Sequence, residues 1–369
     1  MPEVVELREV TDRRDVIHRA VQRLSSGDLV VLPSEAGYVL AGAALIEGIG
    51  NRLSEAGGTV TLLLRAADEA TDFLPHLSPV GVRFAKRCWP GPFVLSAPAN
   101  AANSFVGALP ESSQRVVVVD GQLSVRVSSH PALSEIAKLS RGPLLLRDIE
   151  TPTKTTDFTA VPWGQAALVV KENLAAESQS QPHAESLTTI VQVDSQGGWI
   201  AKRIGATPEN RLQVAACELI LFCCTGNTCR SPMAESLCRH LLCERLKCSP
   251  SELTKRGYLI ASAGLAADYG SPASRESVEM MRRRGLDLKA HTSQPLTDRL
   301  IEHADRCYTL TNGHRATILD SHPELSDRVQ VLARDGNDIS DPIGGGIDDY
   351  AACAASIEQH LNKILDEIA

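Results

Sequence analysis

Residues 219–232 read Leu-Ile-Leu-Phe-Cys-Cys-Thr-Gly-Asn-Thr-Cys-Arg-Ser-Pro, and this stretch decides the fold of the second half of the 369-residue chain. Four consecutive apolar residues predict a buried strand at 219–222, and the apolar spacing of Met233, Leu237 and Leu241 predicts a helix downstream. The residues between them are mostly small and polar. A strand, such a loop and the first turn of a helix form a concave nest in which backbone N–H groups converge on an oxyanion. The stretch therefore predicts an anion-binding loop at the end of a strand.

The residues of the loop indicate covalent chemistry on a phosphoryl group. Cys224 is the candidate nucleophile, because the reactive form of cysteine is the thiolate, which a helix N-terminus, the loop amides and Arg230 all favour. Arg230 can grip two phosphoryl oxygens with its planar fork, which a lysine cannot do. Ser231 can donate a hydrogen bond to the sulfur when it leaves. The Cys-x5-Arg-Ser spacing is thus typical of a phosphatase that acts through a phosphocysteine.

The residues between the nucleophile and the arginine are the candidate phosphate-binding residues, Thr225, Gly226, Asn227, Thr228 and Cys229. Gly226 lets the backbone approach the phosphate, and Asn227 tolerates the left-handed conformation that such a loop needs. Cys229 has two interpretations. It is a small buried filler, or it forms a reversible disulfide with an oxidised Cys224.

Three other kinds of structure are alternatives for this loop. A structural zinc site needs four ligands, and no second pair of cysteines or histidines stands near Cys223, Cys224 and Cys229 at metal spacing. A nucleotide-binding phosphate loop ends in Gly-Lys-Ser/Thr, whereas this loop ends in Cys-Arg-Ser. An inert cluster of packed cysteines is the third alternative. The sequence predicts no metal and no cofactor.

A second candidate constellation lies at 341–350, Asp-Pro-Ile-Gly-Gly-Gly-Ile-Asp-Asp-Tyr. Transfer of a phosphoryl group to sulfur requires a proton for the leaving group, and a carboxylic acid on a mobile loop supplies it and later activates water. Asp341 is the candidate general acid. The alternative is a Gly-rich turn that opens with Asp-Pro and precedes a helix over 350–368.

Residues 219–369 resemble the low-molecular-weight protein tyrosine phosphatases, and within that family the bacterial protein arginine phosphatases most. The matching motifs are the loop itself, Ser262-Ala263-Gly264, His291-Thr292-Ser293, Ala304-Asp305 and Asp341-Pro342. The resemblance implies a three-layer α/β domain with a parallel sheet over 218–369. It also implies Cys224 as nucleophile, Arg230 as phosphate clamp, Ser231 as stabiliser of the thiolate and Asp341 as general acid.

Two positions bear on the substrate that the resemblance implies, a phosphorylated protein. Tyrosine-specific members carry a bulky aliphatic residue at the position of Thr228, and arginine-specific members carry threonine. A hydroxyl can hydrogen-bond a guanidinium, whereas an aliphatic group packs against a phenyl ring. Ile343 replaces the aromatic residue common in the family, which weakens one wall of a slot for a ring. Both positions favour phosphoarginine over phosphotyrosine, unless Thr228 only shapes the loop.

Length and composition predict a second domain in front of this one. The resemblance covers fewer than half of the 369 residues, and this length exceeds the usual size of one domain. We expect a domain over 1–208, a linker over 209–217 and the phosphatase-like domain over 218–369. A net charge of −8 with 22% charged residues shows no excess of positive charge that would favour strong binding to nucleic acid or membranes.

Cysteine usage and the first residues bear on location. Cys88 stands alone in the first half, and the remaining cysteines lie from Cys217 onward. So many thiols beside a nucleophilic cysteine fit a reducing compartment. Residues 1–11 lack the basic and apolar regions of a signal peptide, and no apolar run reaches the roughly 18 residues of a membrane span. We expect a cytoplasmic protein with no membrane partner.

The first half also has the pattern of an α/β domain. Apolar runs predict strands at 28–33, 60–64, 116–119 and 188–193, and helical periodicity appears at 16–24 and 133–139. This half resembles the YrdC-like threonylcarbamoyl-AMP synthases, in a set of matching segments at 27–35, 86–92, 124–131 and 203–206. The resemblance implies a twisted mixed sheet and a nucleotide or RNA ligand, double-stranded RNA included.

That half departs from the resembled family at three places. A basic stretch that holds triphosphate is replaced by Glu-Ala-Gly-Gly-Thr at 55–59, and the family's Ser-Ala-Asn and Thr-Val-Tyr-Gly are replaced around 145–148 and 36–39. Lost cations remove charge-assisted hydrogen bonds that are hard to replace. Three alternatives stay open: a catalytically inactive or repurposed domain, an active synthase, or other nucleotide or RNA chemistry. Arg126, Lys202 and Arg203 are candidate ligand-binding residues or solvated surface cations.

Two functions of different classes follow for the whole chain. The first is a cysteine-dependent protein phosphatase with a fused module of binding or regulatory role. The second is a tRNA-modification enzyme that uses ATP, threonine and bicarbonate, with the phosphatase as an appendage.

Overall fold

The computed structural model describes residues 2–7, 9–10, 12–55, 58–100, 103–149, 165–172 and 187–368. The chain divides into two compact units, Met1–Ala216 and Cys217–Ala369. Residues 56 and 57, which belong to the stretch that departs from the resembled synthases, lie outside the described residues.

The N-terminal unit is built on one mixed sheet. Its strands, in chain order, are β1 Glu3–Glu6, β2 Leu29–Ser34, β3 Gly37–Ala43, β4 Val60–Leu64, β5 Phe93–Pro98, β6 Val118–Val119, β7 Gln122–Val127, β8 Leu144–Ile149, β9 Ala166–Lys171, β10 Thr189–Val193 and β11 Trp199–Arg203. The spatial order is β1-β9-β2-β3-β8-β4-β7-β5-β10-β11, with β6 paired to β7. The sheet contains parallel pairs, such as β4 with β7, and antiparallel pairs, such as β5 with β7. The predicted mixed sheet is thus confirmed.

Helices cover both faces of this sheet. They are α1 Arg13–Ser25, α2 Ile49–Ser54, α3 Ala70–Phe73, α4 Pro79–Cys88, α5 Glu111–Val117, α6 Pro131–Leu139 and α7 Glu209–Ala216. Successive residues of β2 point to opposite faces of the sheet, as in any strand. Leu29 and Val31 lie in the core on one face, and Val30 and Leu32 lie in the core on the other. The segment expected as a linker, 209–217, contains α7, which buries Leu212, Ala215 and Ala216 in the first of these cores.

The strand prediction at 116–119 is wrong for its first half. Val116 and Val117 complete α5, and only the two residues of β6 are extended. Val117 is fully buried, so the apolar run indicates burial and does not indicate a strand. A short apolar run cannot distinguish a buried strand from a buried stretch of helix.

The C-terminal unit has a sheet of four strands in which every pair is parallel. The strands are β12 Glu218–Cys224, β13 Tyr258–Gly264, β14 Arg306–Thr309 and β15 Val329–Val331, in the order β13-β12-β14-β15. The helices are α8 Arg230–Leu246, α9 Arg275–Arg283, α10 Asp298–His303, α11 Asn312–Ser321 and α12 Ile347–Leu365. The predicted parallel sheet is confirmed.

The central strand β12 divides the C-terminal unit into layers. Ile220 and Phe222 point into a core that contains residues of α8, α9 and α12, whereas Leu219, Leu221 and Cys223 point into a core with α10 and α11. Strand β12 is therefore buried on both faces, as parallel strands usually are. Its carboxyl end opens directly onto the loop 225–229 and the start of α8.

Candidate active site

The thiol of Cys224 lies at the carboxyl end of β12, directly before the loop that leads into α8. Its Sγ is 2.9 Å from Oγ of Ser231, and the backbone N–H of Asn227 points at it over 3.3 Å. Cys224 is 3% exposed, so these contacts stand in a largely water-free place. The Ser231 hydroxyl, the Asn227 N–H and the amino end of α8 thus all lie beside the sulfur of the candidate nucleophile.

Asn227 holds the loop in shape from inside. Its φ of 53° is left-handed, the conformation predicted from its residue type. The side-chain amide donates to Oγ of Ser231 and of Ser262, at 2.9 Å each, and Oδ1 accepts from the N–H of Gln294 at 3.0 Å. The backbone carbonyl oxygen of Asn227 is 2.8 Å from Nε2 of His291. These bonds tie the loop to β13 and to the segment 291–294, which explains the Ser-Ala-Gly and His-Thr-Ser motifs.

Gly264 makes room for the loop. It is the register partner of Cys224 in the parallel pair of β12 and β13. A Cβ at this position would lie 2.5 Å from the carbonyl oxygen of Thr225 and 2.9 Å from the nitrogen of Asn227. Both atoms belong to the backbone, so only a residue without a Cβ fits without moving the loop.

The guanidinium of Arg230 faces the late loop of the domain. Nη2 lies 2.5 Å from Oδ2 of Asp341, and Nη1 donates to the carbonyl oxygen of Ile339 at 3.3 Å. Arg230 is almost fully buried, whereas the Asp341 side chain is 42% exposed. The other oxygen of Asp341 accepts from the N–H of Ile343 at 3.2 Å. The structure thus brings together the predicted phosphate clamp and the predicted general acid.

Cys229 is buried beside the C-terminal helix. Its Sγ is 3.4 Å from the hydroxyl of Tyr350 on α12, and 3.7 Å from the hydroxyl of Thr228. Burial, together with the hydrogen bond to Cys229, raises the pKa of Tyr350 to about 12. Burial raises the pKa of the nearby Cys353 thiol, on the same helix, to about 12 as well. Both groups therefore stay neutral and pack against the loop without adding charge.

The other predicted site residues surround the mouth of the loop. Thr225 is exposed, and Gly226 and Thr228 are half-buried. The carbonyl oxygen of Thr228 accepts from the N–H of Ser274, which leads into α9. Ile343 is 71% exposed, so its side chain is available to a ligand.

His314 is a functional candidate that no pattern in the sequence identifies. Its Nε2 is 2.9 Å from the hydroxyl of Thr225, although 89 residues separate the two in the chain. Burial lowers the pKa of His314, and the charge of Arg230 lowers it further, against the smaller opposite effects of Asp338 and Asp341. The single histidine carries no motif, so only the fold reveals its position.

No group of three or more histidine, cysteine or acidic residues within the described ranges could hold a metal ion. No helix in the same ranges is long and apolar enough to cross a membrane.

The N-terminal unit contains a second polar cluster, formed around Asp148 on β8. Its two oxygens accept from Nη1 of Arg126 and from Nη2 of Arg203, at 2.9 Å each, and the hydroxyl of Thr188 also donates to it. Burial alone would raise the pKa of Asp148, but Arg126, Thr188 and Arg203 outweigh it and hold the pKa below its usual value. Arg126 is 2% exposed, so the interpretation as a surface cation is wrong for this residue, while Lys202 is exposed.

The loop, its buried arginine and the facing aspartate define a cysteine-based protein phosphatase. The family model of low molecular weight phosphotyrosine protein phosphatases matches residues 219–369, and the chain belongs to this family through its C-terminal unit. The N-terminal unit lies outside the matched residues, and its resemblance to the YrdC-like synthases stays a prediction.

The relatives include phosphatases of both specificities. The protein-arginine-phosphatase of Geobacillus stearothermophilus is 33% identical over 153 residues, which are 40% of this chain and 95% of that protein. The low molecular weight protein-tyrosine-phosphatase PtpB of Staphylococcus epidermidis is 33% identical over 147 residues, or 39% of this chain and 95% of that protein. The solved structure of the YwlE arginine phosphatase from Geobacillus stearothermophilus is 32% identical, with a TM-score of 0.36 over 41% of this chain and 92% of that one.

Proposed function

We propose that the C-terminal domain removes phosphoryl groups from phosphorylated proteins through a phosphocysteine at Cys224, with phosphoarginine as the preferred substrate. The observation that carries the proposal is the approach of Arg230 and Asp341 to 2.5 Å at the loop that holds the Cys224 sulfur. One buried cation with one exposed carboxylate beside a thiol provides a nucleophile, an anion clamp and an acid in one place.

The reaction has two steps in this proposal. Sγ of Cys224 attacks phosphorus, so an S–P bond forms while the P–N bond of phosphoarginine breaks, and the proton of Asp341 passes to the departing guanidine nitrogen. Water then attacks the phosphocysteine and gives its proton to the Asp341 carboxylate. The S–P bond breaks, and the sulfur leaves as a thiolate that accepts the hydrogen bond of Ser231, 2.9 Å away.

Substrate binding prepares the acid in this scheme. In the free protein Asp341 is the ion-pair partner of Arg230. A phosphoryl dianion can take both Nη positions of Arg230 as a bidentate ligand and displace the carboxylate. Asp341 is then released from Arg230 and can face the leaving group, to which it delivers its proton as general acid.

The preference for phosphoarginine rests on three supports. Thr228 places a hydroxyl in the loop, and Ile343 is an exposed aliphatic residue at the position where the family resemblance implies an aromatic wall. The 33% identical relative from Geobacillus stearothermophilus is named a protein-arginine-phosphatase. A relative of equal identity is named a tyrosine phosphatase, so the substrate is assigned by experiment.

The test uses the full-length chain with matched peptides that carry one phosphoarginine or one phosphotyrosine. We expect a higher kcat/KM on the phosphoarginine peptide than on the phosphotyrosine peptide. Acid quenching during turnover should trap a phosphocysteine on the proteolytic peptide that contains residue 224. Cys224→Ser should show neither turnover nor the trapped phosphocysteine. Cys248→Ser is the matched control, because Cys248 follows the opposite end of α8. Wild-type turnover by Cys224→Ser would exclude the covalent mechanism, and a preference for phosphotyrosine would exclude the arginine assignment.

For the N-terminal unit we infer a binding or regulatory role toward an anionic ligand, a nucleotide or an RNA. The support is Arg126, whose Nε and Nη2 are buried and have no hydrogen-bond partner among the described residues. Buried N–H groups of a guanidinium normally have partners, so these two favour an anion as ligand. Asp148 pairs with both Arg126 and Arg203, so one carboxylate offsets one of two positive charges and the cluster keeps a net positive charge toward an anion.

Titration of the full-length protein with labelled ATP and with a short double-stranded RNA tests this role. We expect binding that weakens in Arg126→Gln and in Arg203→Gln, with the exposed Arg211→Gln as control. Formation of pyrophosphate from ATP, threonine and bicarbonate would instead establish the synthase alternative. If neither ATP nor the RNA binds, the proposed role is overturned.

The cytoplasmic location stays a proposal as well. All ten cysteines are free thiols, and a reducing compartment keeps such a set unpaired. Fractionation of cells that express the full chain, followed by immunoblotting, tests it.

A further inference from the structure

His314 joins two threonine hydroxyls of the phosphatase domain. Its Nδ1 is 2.9 Å from Oγ1 of Thr311, the N-cap residue of α11, and its Nε2 is 2.9 Å from Oγ1 of Thr225 in the phosphate loop. The ring is 8% exposed, whereas Thr225 is exposed at the mouth of the loop. The histidine therefore forms the inner support of a hydroxyl that a ligand can reach.

The tautomer of His314 sets the direction of these hydrogen bonds, and the cap favours the tautomer with its proton on Nε2. Oγ1 of Thr311 accepts from the backbone N–H of His314 at 3.1 Å, which leaves its own proton to donate to Nδ1. Nδ1 is then the acceptor of a neutral imidazole, and Nε2 carries the ring proton. Nε2–H donates to Oγ1 of Thr225, so the proton of the Thr225 hydroxyl is directed away from His314.

The ring stays neutral chiefly because it is buried, and the charge of Arg230 adds to that effect, whereas the nearby carboxylates oppose it. Arg230 is the cation that acts on His314, and Asp338 and Asp341 are the carboxylates. A charged imidazolium would carry protons on both nitrogens, so it could not accept from Thr311, and it would lie near the Arg230 guanidinium. Burial lowers the pKa of His314 in the same sense.

We propose that His314 is a positioning residue whose Nε2–H fixes the Thr225 hydroxyl as a hydrogen-bond donor to a phosphoryl oxygen of the substrate. This inference rests on the proposed phosphatase function of the same loop. Thr225 directly follows the nucleophile Cys224. An oxygen of a phosphoryl group bound in the loop would therefore be the acceptor for the Thr225 hydroxyl.

The test is a double-mutant cycle on the full-length protein with Thr225→Val, His314→Ala and the double variant. We expect each single variant to lower kcat/KM by about 10-fold to 100-fold, as for one hydrogen bond to a charged group. The double variant should be no worse than either single one, because His314 acts through Thr225. His314→Gln, whose amide can donate in the same direction, should recover part of the loss.

Thr317→Val is the matched control, since Thr317 lies on the same helix and only bonds its own helix backbone. A purely structural role of His314 would give losses that add in the double variant and would lower the melting temperature in step with activity. Additive losses, or an unchanged kcat/KM in Thr225→Val, would overturn the proposal.

A second readout separates this inference from the proposed function. Inorganic phosphate is titrated onto each variant, and we expect Thr225→Val and His314→Ala to raise its Kd by a similar factor. If the wild type hydrolyses neither peptide, the proposed function fails, but the phosphate titration still decides the role of His314. An equal Kd in wild type and both single variants would overturn the positioning role even in an active enzyme.

Discussion

Arg230 and Asp341 form a close ion pair, Nη2 to Oδ2 at 2.5 Å, although 111 residues separate them in the chain. One partner is buried at the amino end of α8, and the other is part-exposed on the loop that precedes α12. The pair therefore connects the two ends of the domain's sequence at the phosphate loop. It also gives the carboxylate a defined resting place from which a bound phosphoryl group can displace it.

Asp341→Asn should reduce turnover according to the leaving group. An amide cannot supply a proton, so we expect a loss of about 100-fold or more in kcat for a phosphopeptide, within the range for general acid catalysis. Nitrophenyl phosphate needs little protonation of its leaving group and should lose much less. The measurement is kcat for both substrates in wild type and variant. An equal loss on both would mean that Asp341 serves only to hold Arg230.

Gly264→Ala should destabilise the C-terminal domain and impair the loop at the same time. Its Cβ would stand 2.5 Å from the Thr225 carbonyl oxygen, and overpacking against backbone costs typically about 1–3 kcal/mol. Gly313→Ala is the matched control, because its Cβ would meet only Oγ1 of Thr311 at 3.7 Å. Thermal unfolding and kcat/KM are measured on both variants. Wild-type stability and activity in Gly264→Ala would show that the loop yields without cost.

The pH dependence of stability should contain a contribution from His314. Its pKa is lowered in the folded protein from an ordinary value of 6.5, so below that value the unfolded chain binds more protons than the folded one. The contribution is therefore present above pH 6.5 and is lost as the pH falls through the folded pKa. NMR titration of the ring protons gives the folded pKa directly.

The matched comparison for this dependence is His314→Gln, which does not titrate. As the pH falls from 7.5 to 5, the free energy of unfolding of the wild type should decrease relative to that of the variant. His130 in the N-terminal unit has a pKa lowered by burial too, and it is unchanged in both proteins, so it cancels in the difference. A constant difference across this range would contradict a lowered pKa at His314.

The sequence predicts the parts of the site that are local. The predicted strand 219–222 lies within β12, and the left-handed residue Asn227 is correct, because an apolar run and a loop residue show their preferences within a few positions. The helix predicted over 350–368 begins earlier, at Ile347, because Asp349 accepts the N–H of Gly346 and caps it. Cap geometry of this kind shifts a boundary that periodicity alone leaves open.

The remaining parts depend on contacts between distant segments. One partner of the Asn227 side chain is the backbone N–H of Gln294, and one partner of the Thr225 hydroxyl is His314. Neither contact has a local signal, since a single histidine in a helix is compatible with many surroundings. The motif residues of the loop are therefore predictable from sequence, whereas the residues that orient them emerge only from the topology of the sheet.

Thr228→Ile should shift the ratio of phosphotyrosine to phosphoarginine turnover upward. The change removes a hydroxyl that can bond the guanidinium and adds aliphatic area for a phenyl ring, which we expect to alter discrimination by about 1–3 kcal/mol. The ratio of kcat/KM for matched peptides is measured in wild type and variant, with the buried Cys229 and its contact to Tyr350 left intact. An unchanged ratio would mean that Thr228 only shapes the loop. Because Ile343 offers no aromatic wall, the variant should remain a weak tyrosine phosphatase even when the ratio rises.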